Sequence, residues 1–110
     1  MAGRPAAGRA YFAIRQYQLA PGHAMEELAT LVESEFMPIL KQVPGFREYI
    51  LVETGEDLQS ISVFEDQAGA EESTRRAADW VQQNLAGFFT GPPTVTTGSV
   101  WLHDGGGTRS

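Results

Sequence analysis

The run Ile39-Leu40-Lys41-Gln42-Val43-Pro44-Gly45-Phe46-Arg47-Glu48-Tyr49-Ile50-Leu51-Val52 changes its hydrophobic spacing from helical to extended, and this change constrains the fold more than any other feature. Before it, Met25, Leu28, Val32, Ile39 and Val43, supplemented by Ala29, Phe36 and Leu40, make an apolar stripe at near-helical spacing. Pro44 then disfavours helical continuation, Gly45 supplies a flexible turn, and Phe46 opens a run of aromatic and β-branched residues. A helix must end here and a strand begin, so the helix folds back onto a sheet. Pro38 lies inside the stripe and lacks a backbone donor, which predicts a kink or break near Glu35 to Met37.

The remaining elements follow from the same signals. Ala10 to Leu19 alternates as a strand does, with Phe12 and Ile14 on one side and Tyr11, Ala13, Arg15 and Tyr17 on the other. Ala20-Pro21-Gly22 breaks it, and Glu26 and Glu27 place negative charge in the first turn of the helix, where the exposed amides favour it. Phe46 to Glu53 and Leu58 to Glu65 read as two strands whose link, Gly55-Glu56-Asp57, is too short for anything but an antiparallel hairpin. Asp66 is a cap for a second helix to about Leu85, with Ala70, Thr74, Ala77, Val81 and Leu85 inward. After the connector Gly87-Phe88-Phe89-Thr90-Gly91-Pro92-Pro93, Thr94 to His103 reads as a last strand. The order β, α, β, β, α, β predicts an α+β, ferredoxin-like fold, a four-stranded antiparallel sheet with two helices on one face.

The 110 residues suit one domain, expected over 10–103, with a flexible arm over 1–9 and a disordered tail over 104–110. The absence of cysteine removes disulfides, thiolate metal sites and cysteine nucleophiles. A formal net charge of -6 argues against nucleic acid or an anionic membrane as partner, and no stretch approaches the roughly 20 apolar residues that a bilayer crossing needs. The first residues lead into no continuous apolar region of the signal-peptide kind, so the cytoplasm is the expected location. A glycine-rich phosphate loop, a Gly-x-Ser-x-Gly elbow and paired His or Cys spacing are all missing, so no metal site is expected.

Two helices cover only one face of such a sheet. The other face is expected to carry Tyr11, Arg15, Tyr17, Phe64, Trp101 and, according to register, Glu48 or Tyr49. Exposed apolar area of that kind predicts an interface, most simply a homodimer.

Tyr17 followed by Pro21-Gly22, then Pro44-Gly45-Phe46 with Tyr49, then Val63-Phe64-Glu65-Asp66 before a helix carrying Arg75, Arg76 and Trp80, resembles the antibiotic biosynthesis monooxygenase-like domain of the dimeric α/β-barrel superfamily over about Ala10 to His103. The resemblance implies a homodimer with a small-molecule pocket between sheet and helices. In families of this kind some members oxidise polycyclic phenols with oxygen and no cofactor, others degrade haem, and many have no assigned activity. The first-strand asparagine of the haem degraders has no match here, where Gln16 and Gln18 stand instead, so the resemblance implies no cofactor and an aromatic or polyketide-like substrate.

The candidate catalytic residues are Arg15, Tyr17 and Trp80. A guanidinium beside a phenol suits the enolate or phenolate that must form before an electron-rich ring reacts with oxygen. Tyr49, Phe64, Asn84, Trp101 and His103 are candidate substrate contacts. Each has a plainer reading beside the functional one: Arg15 paired with Glu48 across the sheet, Trp80 filling the core, Asn84 at a fraying helix end, His103 exposed near the glycine tail. A cofactor-independent monooxygenase, a non-catalytic ligand-binding or interaction module, and a cyclase or isomerase in the same pocket all remain open at this point.

Overall fold

A computed structural model describes residues 9–55 and 57–103. The elements in chain order are β1 (Tyr11–Gln18), α1 (Met25–Leu31), a π-helical turn (Val32–Phe36), α2 (Met37–Lys41), β2 (Phe46–Thr54), β3 (Asp57–Phe64), α3 (Gln67–Asn84) and β4 (Thr94–Ser99). The four strands form one sheet in the order β2-β3-β1-β4, antiparallel at every pairing, which is the ferredoxin-like arrangement. The expected arm and tail fall, apart from Arg9, outside the described residues.

The central turn forms as the sequence requires. Gly45 adopts φ +85°, a conformation that costs glycine nothing, and its carbonyl accepts from the Glu65 amide at 2.9 Å, tying the start of β2 to the end of β3. Pro38 does not break the first helix outright. The chain widens by one π-turn over Val32–Phe36 and resumes as α2 with the proline in its first turn, where its missing N–H is not needed. On the second helix the Asp66 carboxylate accepts from the Gly69 amide at 2.9 Å, capping α3 as predicted.

Leu28, Val32, Phe36 and Leu40 from the first helical run and Ala70, Ala77 and Trp80 from α3 pack onto Ala13, Tyr17, Leu58 and Phe64 of the sheet. Gly69 permits the approach of α3 to the sheet, because a Cβ there would lie 2.9 Å from Phe64 Cδ2.

Which face of the sheet lies beneath the helices differs from the sequence reading. The pairings put Arg15 with Ser60, Tyr17 with Leu58, Tyr11 with Phe64 and Tyr49 with Ser62, and all of these lie on the helix side. The far face carries Phe12, Ile14, Ile50, Val52, Ile61 and Val63 instead, so it is chiefly aliphatic. The residues that share a face of β1 are as expected, but both sets are largely apolar, and the set expected to be covered by a second protomer is covered by the chain's own helices, where Arg15 finds hydroxyl partners. Trp101 stands beyond β4, which ends at Ser99 rather than His103; its ring lies under the Arg9 guanidinium, 3.7 Å from the centroid, and stays 78% exposed. Among the described residues no helix is long and apolar enough to cross a membrane.

Candidate active site

Arg15 sits mid-strand on β1, which is paired on both sides, and it is the one charged residue buried among those described, with 1% of its surface exposed. A guanidinium has five N–H donors. One Nη2 gives bonds to Ser60 Oγ at 3.0 Å and Ser62 Oγ at 3.2 Å, both on the neighbouring β3, and Nη1 gives one to Thr74 Oγ1 at 3.2 Å on α3. Arg15 Nε is buried without a partner. No carboxylate among the described residues lies within ion-pair distance of Arg15: Glu48, expected to pair with it, is on the opposite face and meets His103 Nε2 at 2.9 Å.

The hydroxyls continue into a network. Ser60 Oγ donates to Tyr49 Oη at 2.9 Å, while Ser62 and Ser73 lie 3.4 Å apart and Ser73 donates to the Ala70 carbonyl at 2.7 Å. The two serines of β3 alternate with Leu58 and Phe64 on the buried face. That polar pair at period two, Ser60-Ile61-Ser62-Val63, was the available signal for the network, and it was missed.

Above this cluster lies a narrow slot between sheet and helices. Arg15, Tyr17, Tyr49, Leu51, Leu58 and Ser60 form its floor, and Leu28, Val32, Phe36, Ala77, Trp80 and Phe89 are among its walls. Its free space, open solvent at the mouth included, is about 310 Å³, of which about 20 Å³ admits the centre of a water molecule. That is room for one or two waters. Phe36 stacks on Trp80 at 5.2 Å between centroids and meets Tyr49 edge-on at 6.0 Å, while Phe89 stacks on Tyr17 at 4.3 Å.

Burial raises the Tyr17 and Tyr49 phenols above the ordinary tyrosine value, and in both the Arg15 charge pulls the other way. Burial likewise lowers the Arg15 guanidinium, with the two phenols opposing the shift. The three groups thus form one electrostatic unit in which the cation favours an ionised oxygen.

Of the eight candidate residues, Arg15, Tyr17, Trp80 and Tyr49 line the slot together. Phe64, Asn84, Trp101 and His103 do not. Phe64 is fully buried in the core against Phe46. Asn84 is exposed at the end of α3 and donates to the Trp80 carbonyl at 3.0 Å, while Trp101 and His103 are exposed beyond β4, the one against Arg9 and the other against Glu48. Phe36 and Phe89 line the slot without having been singled out in sequence.

No family model matches the sequence, and no curated protein matches it. Solved structures do. The chain superposes on NE2512 of Nitrosomonas europaea, a protein of unknown function, with TM-score 0.73 and 17% identity over 89% of this chain and 95% of that one. It superposes on the monooxygenase from the gene ActVA-Orf6 of Streptomyces coelicolor, solved with the ligand Nanaomycin D, with TM-score 0.69 and 13% identity over 87% and 91% of the two chains. A protein of Bordetella bronchiseptica assigned to the antibiotic biosynthesis monooxygenases matches with TM-score 0.66 and 16% identity over 86% of this chain and 99% of its own. The fold is antibiotic biosynthesis monooxygenase-like. At these identities the likeness to the monooxygenases concerns the path of the backbone, and any chemistry has to be argued from the side chains of this chain.

Proposed function

We propose that this monooxygenase-like fold binds a small aromatic or polyketide-like molecule in the slot and oxidises it with dioxygen, without a bound cofactor. The observation that carries the reading is the buried Arg15, lacking a carboxylate partner among the described residues and set beside two phenols under an aromatic wall. A phenol or enol placed against Arg15 and Tyr17 loses its proton more readily, because the oxygen anion is stabilised where water is excluded. The electron-rich anion passes one electron to dioxygen, the radical pair combines as a hydroperoxide, and loss of water leaves a carbonyl. One oxygen atom ends in the product and the other in water; an anthrone thereby becomes an anthraquinone. Trp80 stacks the ring and Tyr49 holds its oxygen. A ring enters by displacing Phe89 from Tyr17, since Phe89 lies on the connector after α3 and is only half-buried.

Oxygen uptake with a panel of hydroquinones and anthrones tests this. One O₂ consumed per quinone formed, with one ¹⁸O retained from labelled gas, is the expected result; no consumption by the folded protein across the panel refutes it. The small space now open in the slot favours a second reading, a non-catalytic ligand-binding module, for which the panel would bind without turnover.

The working unit of this reading is a homodimer through the far face of the sheet. Phe12, Ile14, Ile50, Val52, Ile61 and Val63 lie together there, while Glu48 stands at its margin, so a second copy related by a two-fold axis buries apolar area without burying charge. Sedimentation of a dimer, lost in Ile50→Glu, is expected; a stable wild-type monomer at micromolar concentration refutes the arrangement.

A further inference from the structure

The direction of the hydrogen bonds around Arg15 determines what the slot offers an occupant. Ser60 accepts from Arg15 and spends its proton on Tyr49 Oη. Ser73 spends its proton on the Ala70 carbonyl, so across the 3.4 Å contact Ser62 is the donor and Ser73 the acceptor. Every bond with a settled direction therefore runs outward from the guanidinium. Such a chain polarises its members in one sense, and it ends on a tyrosine whose own O–H has no acceptor among the bonds of the described residues. Tyr49 lines the slot, as does Arg15, which has two N–H donors left over from its three bonds, one of them the buried Nε–H. Three neutral hydroxyls hold the guanidinium in place but cannot neutralise it, and a buried ion without a counter-charge is costly.

The titratable groups facing Arg15 are Tyr17 on its own strand and Tyr49 on β2. From β3 and α3 it receives only the hydroxyls of Ser60, Ser62 and Thr74. Of the charged side chains of α3, Glu72, Arg75, Arg76 and Asp79 pair with one another on its outer side, and the exposed Glu71 accepts from Gln67 Nε2 at 2.8 Å.

Building on the reading of the slot as a small-molecule site, we infer that its occupant is an organic monoanion in the bound state, a planar ring compound whose ionised oxygen takes the Tyr49 O–H and a free Arg15 N–H and supplies the counter-charge that Arg15 lacks among the described residues. Ring compounds of the same shape that cannot ionise on oxygen are poor ligands. The relay through Ser60 makes Tyr49 a better donor than an isolated phenol, and Ser60 is accordingly a positioning residue that acts through Tyr49.

The test compares acids with their primary amides, which keep the shape and lose the charge. Benzoate, 2-naphthoate and anthraquinone-2-carboxylate, each beside its amide, are titrated into the full-length protein by calorimetry at neutral pH. At least one acid is expected to bind about 30-fold or more tightly than its amide, the scale of a charge-assisted bond in a dry site. Arg15→Met is expected to bring acid and amide within about threefold of each other. Tyr49→Phe and Ser60→Ala are expected to weaken the acid by about tenfold and about threefold and to leave the amide nearly unchanged. Amides that bind as well as the acids, acids that all fail to bind below millimolar concentration, or an acid preference that survives in Arg15→Met would each overturn the inference. The wild-type ratio and the Tyr49→Phe result decide it even if Arg15→Met does not fold. Acid preference without oxygen consumption keeps this inference and removes the oxygenase; oxygen consumption on neutral phenols with no acid preference does the reverse.

Discussion

Replacing Arg15 with methionine is expected to stabilise the fold while removing the preference for anionic ligands. The side chain is 99% buried, so its charge has left water almost entirely. An ion taken from water costs several kcal/mol after relaxation, and the unpartnered Nε–H adds about 1 to 3 kcal/mol. The return is three bonds of 3.0 to 3.2 Å to neutral hydroxyls, longer than charge-assisted bonds to anions and worth about 1 to 1.5 kcal/mol each. Methionine forfeits those bonds, but Ser60 still bonds Tyr49 and Ser62 still bonds Ser73, and the thioether adds apolar burial. The balance favours methionine by about 1 to 3 kcal/mol, which for a domain of this size raises Tm by about 4 °C or more. Calorimetric melting of both proteins without ligand measures it, and the acids described above should raise the Tm of the wild type alone. A drop of about 4 °C or more in Arg15→Met would show that the guanidinium is a structural keystone and that its isolation from carboxylates carries no functional meaning.

Other perturbations follow from neighbouring geometry. Gly69→Ala places a methyl 2.9 Å from Phe64 Cδ2 and 3.1 Å from its Cβ and Cγ, inside a full core, so overpacking of about 1 to 3 kcal/mol should exceed the helix-propensity gain of about 1 kcal/mol; denaturant unfolding should show net loss, relieved in Gly69→Ala/Phe64→Leu. Tyr17 and Tyr49 have folded pKa values raised above the unfolded value by burial, so their contribution is complete below pH about 10 and is lost as pH climbs through the folded values; Tyr49→Phe should blunt the alkaline fall in stability, followed by chemical denaturation from pH 9 to 11.5. Glu72 is held down to about 2 by Arg75 and Arg76, so its contribution is present above its ordinary value and fades as pH falls through about 2; Glu72→Gln should flatten that acid limb, and added salt should weaken the effect because the cluster is exposed.

The sequence made the topology legible because turns and periods are local. Pro44-Gly45, the short Gly55–Asp57 link and the Asp66 cap each need only a few neighbouring residues to be read, and each appears where the pattern put it. The site was legible in part. Arg15, Tyr17 and Tyr49 were identified as chemically capable, but their side of the sheet was reversed, because strand parity says which residues share a face and not which face the helices cover. Arg15 is solvated by residues 45 to 59 positions away, on β3 and α3, and nothing local in β1 reports them. Trp101 and His103 were drawn into the pattern by extending β4 four residues past Ser99, where the alternation persists after the pairing with β1 has ended.

Two departures from regular structure converge on the slot. The π-turn carries Val32 at its start and Phe36 at its end, and both side chains wall the slot; Arg15 breaks the rule that buried charges are paired, and it lies at the slot's floor. A wide turn has poorer hydrogen-bond geometry than the α-helix it interrupts, and an unpaired cation costs more still, so neither improves the stability of the isolated chain. Pro38 explains why the first helix must deviate somewhere, yet it does not require that Phe36, at the end of the deviation, meet both Trp80 and Tyr49. Where local rules are broken together and no compensating contact lies among the described residues, a functional role for the place where they meet is the expected reason. On the reading proposed above, that is a flat ring between Phe36, Trp80 and Phe89, with a negative oxygen against Arg15.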